Sequence, residues 1–348
     1  MFFSSYSSFY KTAMVKLECQ KTGLAIMSSY QHYSLKCHLS CDCEEYGYSV
    51  LYLNQLGRVI NRLKEYKTRK LTLYDNNERL LIDFGKGETK LRKVTKYEKF
   101  LPVENIDNFK YSFMLPKNFE KIITKVSIAV GYGKRRYALT GIFFEINSDG
   151  MGVTSTDGHI ICHIETKDTS LPYDNINLII PKFTLSQALN CKCDKLVITG
   201  NRVYFLNTMD DTLIASPIIE GPYPNYRSSI PKNQSNRALL NTNECIRSTL
   251  DMNIFYFGDN LIMEGKDKYS GIEFTETLPI KYNGKPMQIF FNSYDVHKIL
   301  NVINTNSFFW YFNSPCEATI IRPASTVFAD EFYLLMPLKI NKNIEMYY

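Results

Sequence analysis

Three segments of this 348-residue chain follow one pattern, and an internal repeat constrains the fold more strongly than any single motif. The segments are GLAIMSSYQHYSLKCHL from Gly23, GMGVTSTDGHIICHIE from Gly150 and NLIMEGKDKYSGIEFTE from Asn260. Each segment begins at a turn residue, continues with alternating apolar residues and then breaks at small polar residues. This pattern predicts a pair of strands in each segment.

An amphipathic helix is predicted about thirty residues after the start of each segment, at residues 53–67, 183–190 and 293–303. Short alternating strands follow each helix, separated by the turn signals Asn-Asn, Gly-Asn and Asn-Ser-Pro. Helices are also predicted from Pro116 and Asn241, ahead of the second and third segments. Residues 14–19 read as a strand, so the first unit is expected to lack a leading helix. The sequence therefore predicts an α+β fold of three similar units.

Composition places the chain among soluble globular proteins, since 45% of its residues are hydrophobic and 22% are charged. No apolar run approaches the roughly 18 residues of a membrane span. The first residues, MFFSSYSSFYK, lack the basic start and apolar core of a signal peptide. We therefore expect a cytoplasmic protein without a membrane partner.

Nine cysteines at irregular spacing make a poor disulfide framework, and the sequence predicts free thiols. The run CHLSCDC from Cys37 raises the alternative of a metal site. A structural zinc site usually needs a second pair of ligands some distance away, and none follows here. The favoured interpretation is a strand at residues 35–41 whose cysteines pack inward, with no metal bound.

Positive charge is concentrated in the first third of the chain. Residues 1–110 contain 18 Lys and Arg against 12 Asp and Glu, whereas residues 111–348 contain 23 of each. Arg58 and Arg62 begin a basic face on the predicted helix at residues 53–67, opposite an apolar face. Such a face is either a solvated surface or a surface that attracts a phosphate backbone, and the pattern alone leaves both open.

The stretch TSTDGHI places Asp157, Gly158 and His159 side by side, as in an acid/base pair. Adjacent Asp and His across a glycine cannot easily orient each other, and no G-x-S-x-G or H-E-x-x-H motif occurs. The run GYGKRRY from Gly131 lacks the spacing of a phosphate-binding loop. We therefore predict no catalysis and no cofactor. The Asp-Gly pair instead predicts a tight turn, with the Asp157 side chain capping local N–H groups and Gly158 at positive φ.

Five runs carry a resemblance to a known family: RYALTGIFFEI, TSTDGHIICHIE, IEGPYPNYRSSIPK, IKYNGKPMQIFFNSYDVHKIL and FYLLMPLKI. In order and spacing they resemble the bacterial DNA polymerase III beta subunit, or sliding clamp, family. The resemblance is strong from about residue 111 to 340 and weaker over residues 14–110.

The resemblance implies three similar domains, at residues 1–110, 111–232 and 233–348. It also implies a head-to-tail homodimer that forms a ring around duplex DNA, with helices on its inner face and antiparallel sheets outside. The implied function is a processivity factor that binds DNA without sequence preference and tethers the replicative polymerase and the clamp loader. The alternative is a clamp-derived protein that binds replication partners without encircling DNA.

The resemblance further implies two sets of functional residues. A hydrophobic cleft that binds a partner peptide is expected to involve Leu139, Thr156, Gly158, His159, Ile161, Pro224, Leu334, Leu335, Met336, Pro337 and Leu338. The expected DNA-facing residues are Arg58, Arg62, Lys121, Lys125, Arg136, Lys182, Arg247 and Lys298. Of these, Arg136 matches a basic position of the family, and the others are assigned by helix face alone.

The chain departs from the family pattern in three places. Ile160 occupies a position where an arginine is common, so the cleft is expected to be less basic. The first unit lacks its leading helix. Residues 341–348 extend beyond the usual end of the chain, either as a frayed terminus or as a tethered competitor for the cleft.

Overall fold

The computed structural model describes residues 13–30, 32–66, 70–95, 106, 109–167, 171–172, 174–267 and 270–339. Contacts within the chain divide it into two compact units, Met1–Leu115 with Phe183–Ile218 and Pro116–Lys182 with Ile219–Tyr348. The division into three similar domains at residues 110 and 232 remains a prediction. The predicted extension at residues 341–348 lies outside the described residues.

The described ranges contain 24 strands and five α-helices. The first third contains β1 (Met14–Gln20), β2 (Gly23–Tyr30), β3 (Tyr33–Leu39), β4 (Gly47–Tyr52), α1 (Leu53–Glu65), β5 (Thr72–Asn76), β6 (Arg79–Asp83) and β7 (Glu88–Arg92). The middle contains β8 (Tyr111–Met114), α2 (Phe119–Val126), β9 (Gly141–Asn147), β10 (Gly150–Thr156), β11 (Ile160–Thr166), β12 (Ile176–Pro181), α3 (Lys182–Asn190), β13 (Lys195–Ile198), β14 (Arg202–Asn207) and β15 (Thr212–Pro217). The last part contains β16 (Asn236–Asn241), α4 (Thr242–Ser248), β17 (Ile254–Phe257), β18 (Asn260–Lys266), β19 (Glu273–Pro279), β20 (Lys281–Asn283), β21 (Met287–Phe290), α5 (Ser293–Val302), β22 (Ser307–Phe312), β23 (Thr319–Pro323) and β24 (Asp330–Leu335).

The predicted repeat is confirmed at the level of its elements. Each of the three segments forms an antiparallel strand pair, β2 with β3, β10 with β11 and β18 with β19. The predicted helices are α1, α3 and α5, and the two predicted leading helices are α2 and α4. Apolar residues at the period of a strand or a helix predicted these elements from local sequence alone.

The first compact unit contains an eight-stranded antiparallel sheet in the order β4-β1-β2-β3-β15-β14-β13-β8 and a three-stranded sheet in the order β5-β6-β7. Helix α1 packs its apolar side into the core of this unit, where Leu56, Val59 and Leu63 are buried together with Val15 and Leu51. The charged side of α1 faces outward. Its last turn carries Arg62 and Lys64, whose positive charges complement the negative end of the helix dipole.

One cysteine prediction is wrong. Cys19 and Cys43 form a disulfide, with their Cα atoms 6.1 Å apart. Pairing of β1 with β4 places Cys19 opposite Gly47, and this brings Cys43, in the connection that precedes β4, next to it. Sequence spacing could not reveal the pair because the register of β1 and β4 creates it. The Cys41 thiol is exposed and lies 4.0 Å from the Cys43 sulfur.

The second compact unit contains a nine-stranded antiparallel sheet in the order β12-β9-β10-β11-β24-β23-β22-β16-β20 and a four-stranded sheet in the order β19-β18-β17-β21. The Trp310 ring is buried among Phe255, Phe257 and Phe291, and its indole N–H donates to the Thr319 hydroxyl at 3.0 Å. The indole N–H is the polar group of the buried ring, and this hydrogen bond satisfies it.

Candidate functional site

A cavity of about 600 Å³ lies within the second compact unit. Four chain segments surround it: the 3-10 turn at Lys134–Thr140, the connection from β10 to β11, residues 220–229 and the end of β24. Its apolar wall includes Leu139, Ile161, Pro224, Leu334 and Met336. Such a cavity can accept apolar side chains of a short ligand because it offers them a dry surface.

The connection from β10 to β11 is the TSTDGHI stretch, and its geometry confirms the predicted turn. The Asp157 carboxylate accepts the backbone N–H groups of His159 at 2.8 Å and Ile160 at 2.9 Å. Gly158 has φ of +98°, a conformation that favours glycine. The Asp157 carboxylate therefore fixes the backbone, and the His159 side chain stands exposed at the cavity edge.

The floor of the cavity follows from the pairing of β11 with β24. Ile161 lies opposite Leu334 on the cavity side, whereas Ile160 lies opposite Leu335 on the other face of the sheet. Successive side chains of a strand point to opposite faces. Ile160 is therefore fully buried away from the cavity.

Eight of the eleven predicted cleft residues line this one cavity: Leu139, Thr156, Gly158, His159, Ile161, Pro224, Leu334 and Met336. Leu335, Pro337 and Leu338 are not among its lining residues. Leu335 faces the opposite side of the sheet, and Pro337 is buried. At Leu338 the chain has left β24, and its backbone N–H donates to the Phe290 carbonyl at 2.7 Å.

Tyr226 and Arg136 also line the cavity; Tyr226 was not predicted, and Arg136 was predicted as a DNA-facing residue. The Arg136 guanidinium lies within about 3 Å of where a side chain on Gly158 would begin. Leu139 lies three residues away on the same turn and was predicted to line the cleft, so its position could have placed Arg136 near the cavity. For Tyr226, the signal was an aromatic residue two positions after Pro224 in a Pro-rich segment.

A polar cluster stands behind Tyr226. The Glu145 carboxylate accepts the Tyr226 hydroxyl at 2.7 Å and two N–H groups of Arg227 at 2.6 and 2.9 Å. Burial acts to raise the pKa of the Glu145 carboxyl, but the hydrogen bonds from Arg227 and Tyr226 outweigh burial and leave the pKa below its ordinary value of 4.5. Glu145 is therefore a charged acceptor at neutral pH.

His163 is buried next to this cluster. Its Nδ1 lies 2.8 Å from the Thr154 hydroxyl, and its ring packs against Tyr226 and Phe332. Burial lowers the pKa of His163 to about 4. The imidazole is thus neutral at pH 7 and serves the packing of the cavity wall.

The predicted DNA-facing residues fall into different environments. Arg58 and Arg62 on α1, Lys121 on α2 and Arg247 on α4 are exposed, and none of the four forms an ion pair with any residue that the structure describes. These four side chains are accessible to a phosphate.

Lys125, which was also predicted to face DNA, is buried. Its ammonium group donates to Glu331 at 2.6 Å and to the Val302 carbonyl at 2.8 Å, and the residue is buried. Glu331 also accepts the hydroxyls of Tyr333 at 2.7 Å and Thr326 at 2.6 Å. Lys125 therefore neutralises a buried carboxylate inside the protein.

Lys182 and Lys298 are half-buried and close enough to interact. The Lys182 ammonium group donates to the Ser127 carbonyl at 2.9 Å, and burial together with the charge of Lys298 lowers the pKa of Lys182. Lys298 is held by Asp295 at 3.1 Å and lies over the Tyr294 ring. Both lysines have protein partners that a phosphate would have to compete with.

Among the described residues, no group of three or more His, Cys, Asp or Glu side chains could hold a metal ion. Within the same part of the chain, no helix is long and apolar enough to span a membrane.

Comparisons with known proteins agree with this architecture. A family model described as the DNA polymerase III beta subunit, central domain, matches residues 114–225. The beta sliding clamp of Buchnera aphidicola is 25% identical over 280 residues, which cover 76% of this chain and 75% of the relative. The beta sliding clamp of Escherichia coli K12 is 22% identical over 285 residues, covering 76% of this chain and 74% of the relative.

Solved structures show the same fold. The sliding clamp of Pseudomonas aeruginosa bound to griselimycin is 16% identical and superposes with a TM-score of 0.83, over 97% of this chain and 94% of that one. The sliding clamp of Bacillus subtilis is 18% identical with a TM-score of 0.82 over the same shares. The α+β arrangement of antiparallel sheets with few helices is the sliding-clamp fold.

Proposed function

We propose that this chain, which belongs to the DNA polymerase III beta sliding clamp family whose members are non-catalytic, is a processivity factor for DNA replication. It would encircle duplex DNA as a head-to-tail homodimer in the cytoplasm and tether a replicative polymerase and a clamp loader. The observation that supports this most strongly is the apolar cavity, which gathers eight residues of the expected partner cleft in one place.

The cavity would bind partner peptides. Its wall combines apolar side chains with the exposed, polar Arg136, His159 and Glu220, so a ligand with apolar anchors and polar flanks fits its chemistry. Apolar anchors in a desolvated groove supply most of the affinity of a short peptide.

DNA would be held by exposed basic side chains. Arg58, Arg62, Lys121 and Arg247 lie on helices and reach solvent, which suits contact with phosphates without base recognition. Such contacts release counterions and make binding sensitive to salt. Lys182 and Lys298 would contribute after releasing their protein partners, and the proposed set does not include the buried Lys125.

The homodimer would form through unpaired sheet edges. Strand β7 pairs only with β6, and strand β19 pairs only with β18, among the described strands. Lys90 on β7 is already paired with Glu88 at 3.1 Å, and Glu273 on β19 is paired with Lys266 at 2.9 Å, so the exposed charges that remain on the two edges are Arg92 and Glu276. Opposite charges on two open edges favour pairing of β7 from one copy with β19 from another.

The solution mass tests the dimer. A ring requires twice the 40.4 kDa of one chain at micromolar concentration, measured by light scattering. A mass of one chain at that concentration would instead favour the alternative function, a protein that binds replication partners without encircling DNA.

Griselimycin, which is bound to the Pseudomonas aeruginosa clamp, offers a defined probe for the cavity. We expect wild-type protein to bind it in a calorimetric titration and Met336→Ala to weaken it by about tenfold or more, because a buried apolar contact is lost. Leu338→Ala is the matched control, since Leu338 does not line the cavity. Equal losses of griselimycin affinity in both variants would mean that the ligand binds elsewhere.

A further inference from the structure

The wall of the cavity at residues 220–229 has few backbone hydrogen bonds to the rest of the protein. Its backbone hydrogen bonds are local: Tyr226 donates to Pro224, Ser228 to Asn225 and Ile230 to Arg227. In the described chain, the last strand-like contact before it is the bridge between Ile179 and Ile219. No backbone ladder fixes this wall, so its position depends on side chains.

Glu145 provides the strongest of these attachments. It lies on β9 between β10 and β12, opposite Gly152 on one side and Asn177 on the other, so its backbone is held from both directions. Its carboxylate accepts three hydrogen bonds, one from Tyr226 and two from Arg227. Charged and bidentate hydrogen bonds are stronger and more directional than neutral ones.

Tyr226 connects that carboxylate to the cavity. Its ring is 4% exposed, lines the cavity and packs with Ile161 and Leu334, while its hydroxyl points to Glu145. The Arg227 guanidinium lies 4.8 Å from the centre of the same ring. A shift of the Glu145 side chain would therefore move Tyr226 and reshape the cavity.

A stacked pair supports the same wall at a second point. The Tyr223 ring lies parallel to the Phe143 ring at 4.8 Å. Phe143 and Glu145 are alternate residues of β9, so their side chains emerge from the same face of the sheet. One strand thus anchors the wall by an aromatic contact and by an ionic one.

We propose that Glu145 is a positioning residue for the cavity, which holds Tyr226 and Arg227 so that the wall at residues 220–229 stays in its ligand-accepting position. This inference rests on the proposed function of the cavity. Glu145 touches no ligand itself. Loss of the Glu145 carboxylate lowers the fraction of molecules whose wall is in the ligand-accepting position. The apparent affinity for the ligand falls in proportion to that fraction.

The central experiment compares wild type with Glu145→Gln, which keeps the size of the side chain and removes its charge. We expect griselimycin to bind about tenfold more weakly, equivalent to about 1.4 kcal/mol. Glu18→Gln is the matched control, because it also removes a strand carboxylate from an ion pair, with Lys16 at 2.8 Å. Arg227→Gln should give a similar loss, and the double variant should lose no more than either single variant.

Hydrogen exchange separates a positioning role from a general loss of stability. We expect the amides of Tyr226, Ser228 and Ile230 to exchange faster in Glu145→Gln, with the amides of α5 unchanged and the thermal midpoint close to wild type. Unchanged exchange at these three amides overturns the proposal, whether or not griselimycin binds. Failure of wild type to bind griselimycin, with faster exchange in the variant, would contradict the proposed cavity function alone.

Discussion

Helices α1 and α2 carry the same pattern, but their second basic residues have opposite environments. Residues 56–63 of α1 and Phe119–Val126 of α2 both read apolar, any residue, basic, apolar, apolar, polar, basic, apolar. Arg62 and Lys125 occupy the same position of this pattern. Arg62 is exposed, whereas Lys125 is buried against Glu331. A basic residue on the flank of an apolar face faces solvent unless another element supplies a carboxylate for it.

Removing the charge of Lys125 is expected to destabilise the protein far more than removing the charge of Arg62. We expect Lys125→Met to lower the free energy of unfolding by about 3 kcal/mol, because it leaves the Glu331 carboxylate buried without its cation. Arg62→Met should change it by less than about 0.5 kcal/mol, because that side chain is exposed. Urea unfolding of the two variants measures the difference.

A double variant serves as the control for that difference. Lys125→Met combined with Glu331→Met replaces the whole buried pair and should recover part of the lost stability. Similar losses in Lys125→Met and Arg62→Met would mean that Glu331 does not depend on its cation.

The same distinction between buried and exposed groups separates His163 from His159. The pKa of His163 is about 4 in the folded protein against 6.5 ordinarily, so the unfolded chain takes up a proton first as the pH falls. The stability that a neutral His163 contributes is complete above pH 6.5 and declines toward pH 4, by about 3 kcal/mol.

Urea midpoints between pH 7 and pH 4.5 check this dependence. His163→Gln should flatten the decline, and His159→Gln, which alters an exposed imidazole, should leave it as in wild type. Asp330, Glu145, Arg227 and Arg322 also act on His163, and their charges are retained in both variants. A decline of the same size in His163→Gln would assign the acid sensitivity to other groups.

Removal of the exposed basic residues is expected to have the smallest effect on stability and a clear effect on DNA binding. Arg58→Ala combined with Arg62→Ala should flatten the dependence of log Kd on log salt by about two units, one for each lost phosphate contact. Lys121→Ala should flatten it by about one unit. Fluorescence anisotropy with duplexes of different sequence at several salt concentrations provides the measurement, and an unchanged slope would remove these residues from the DNA-facing set.

The sequence predicted the parts of the fold that depend on local periodicity. The three strand pairs and the five helices follow from apolar spacing, and the turn at Asp157 and Gly158 follows from residue chemistry. Partners that lie far apart in the chain could not be read in this way. Lys125 and Glu331 are 206 residues apart, and the register of β1 and β4 brings Cys43 to Cys19.

The candidate site was predicted from family resemblance more than from residue pattern. Eight cleft residues gather around the cavity, while Leu335 faces the other way because of strand alternation. Alternation could have excluded Leu335 once Leu334 was chosen. The role of Glu145 could not be predicted from the sequence, because a single glutamate in a strand is expected to face solvent. Its partners Tyr226 and Arg227 are known only from the structure.

The proposed sliding-clamp function predicts that retention of the protein depends on whether the DNA is circular or linear. The protein is loaded onto a nicked circular duplex with a bacterial clamp loader and ATP, separated from free protein by gel filtration, and then treated with a restriction enzyme that linearises the circle. We expect the protein to stay with the circle through the column and to be released when the DNA is cut. Equal retention on circular and linear DNA, or no retention on either, would contradict it.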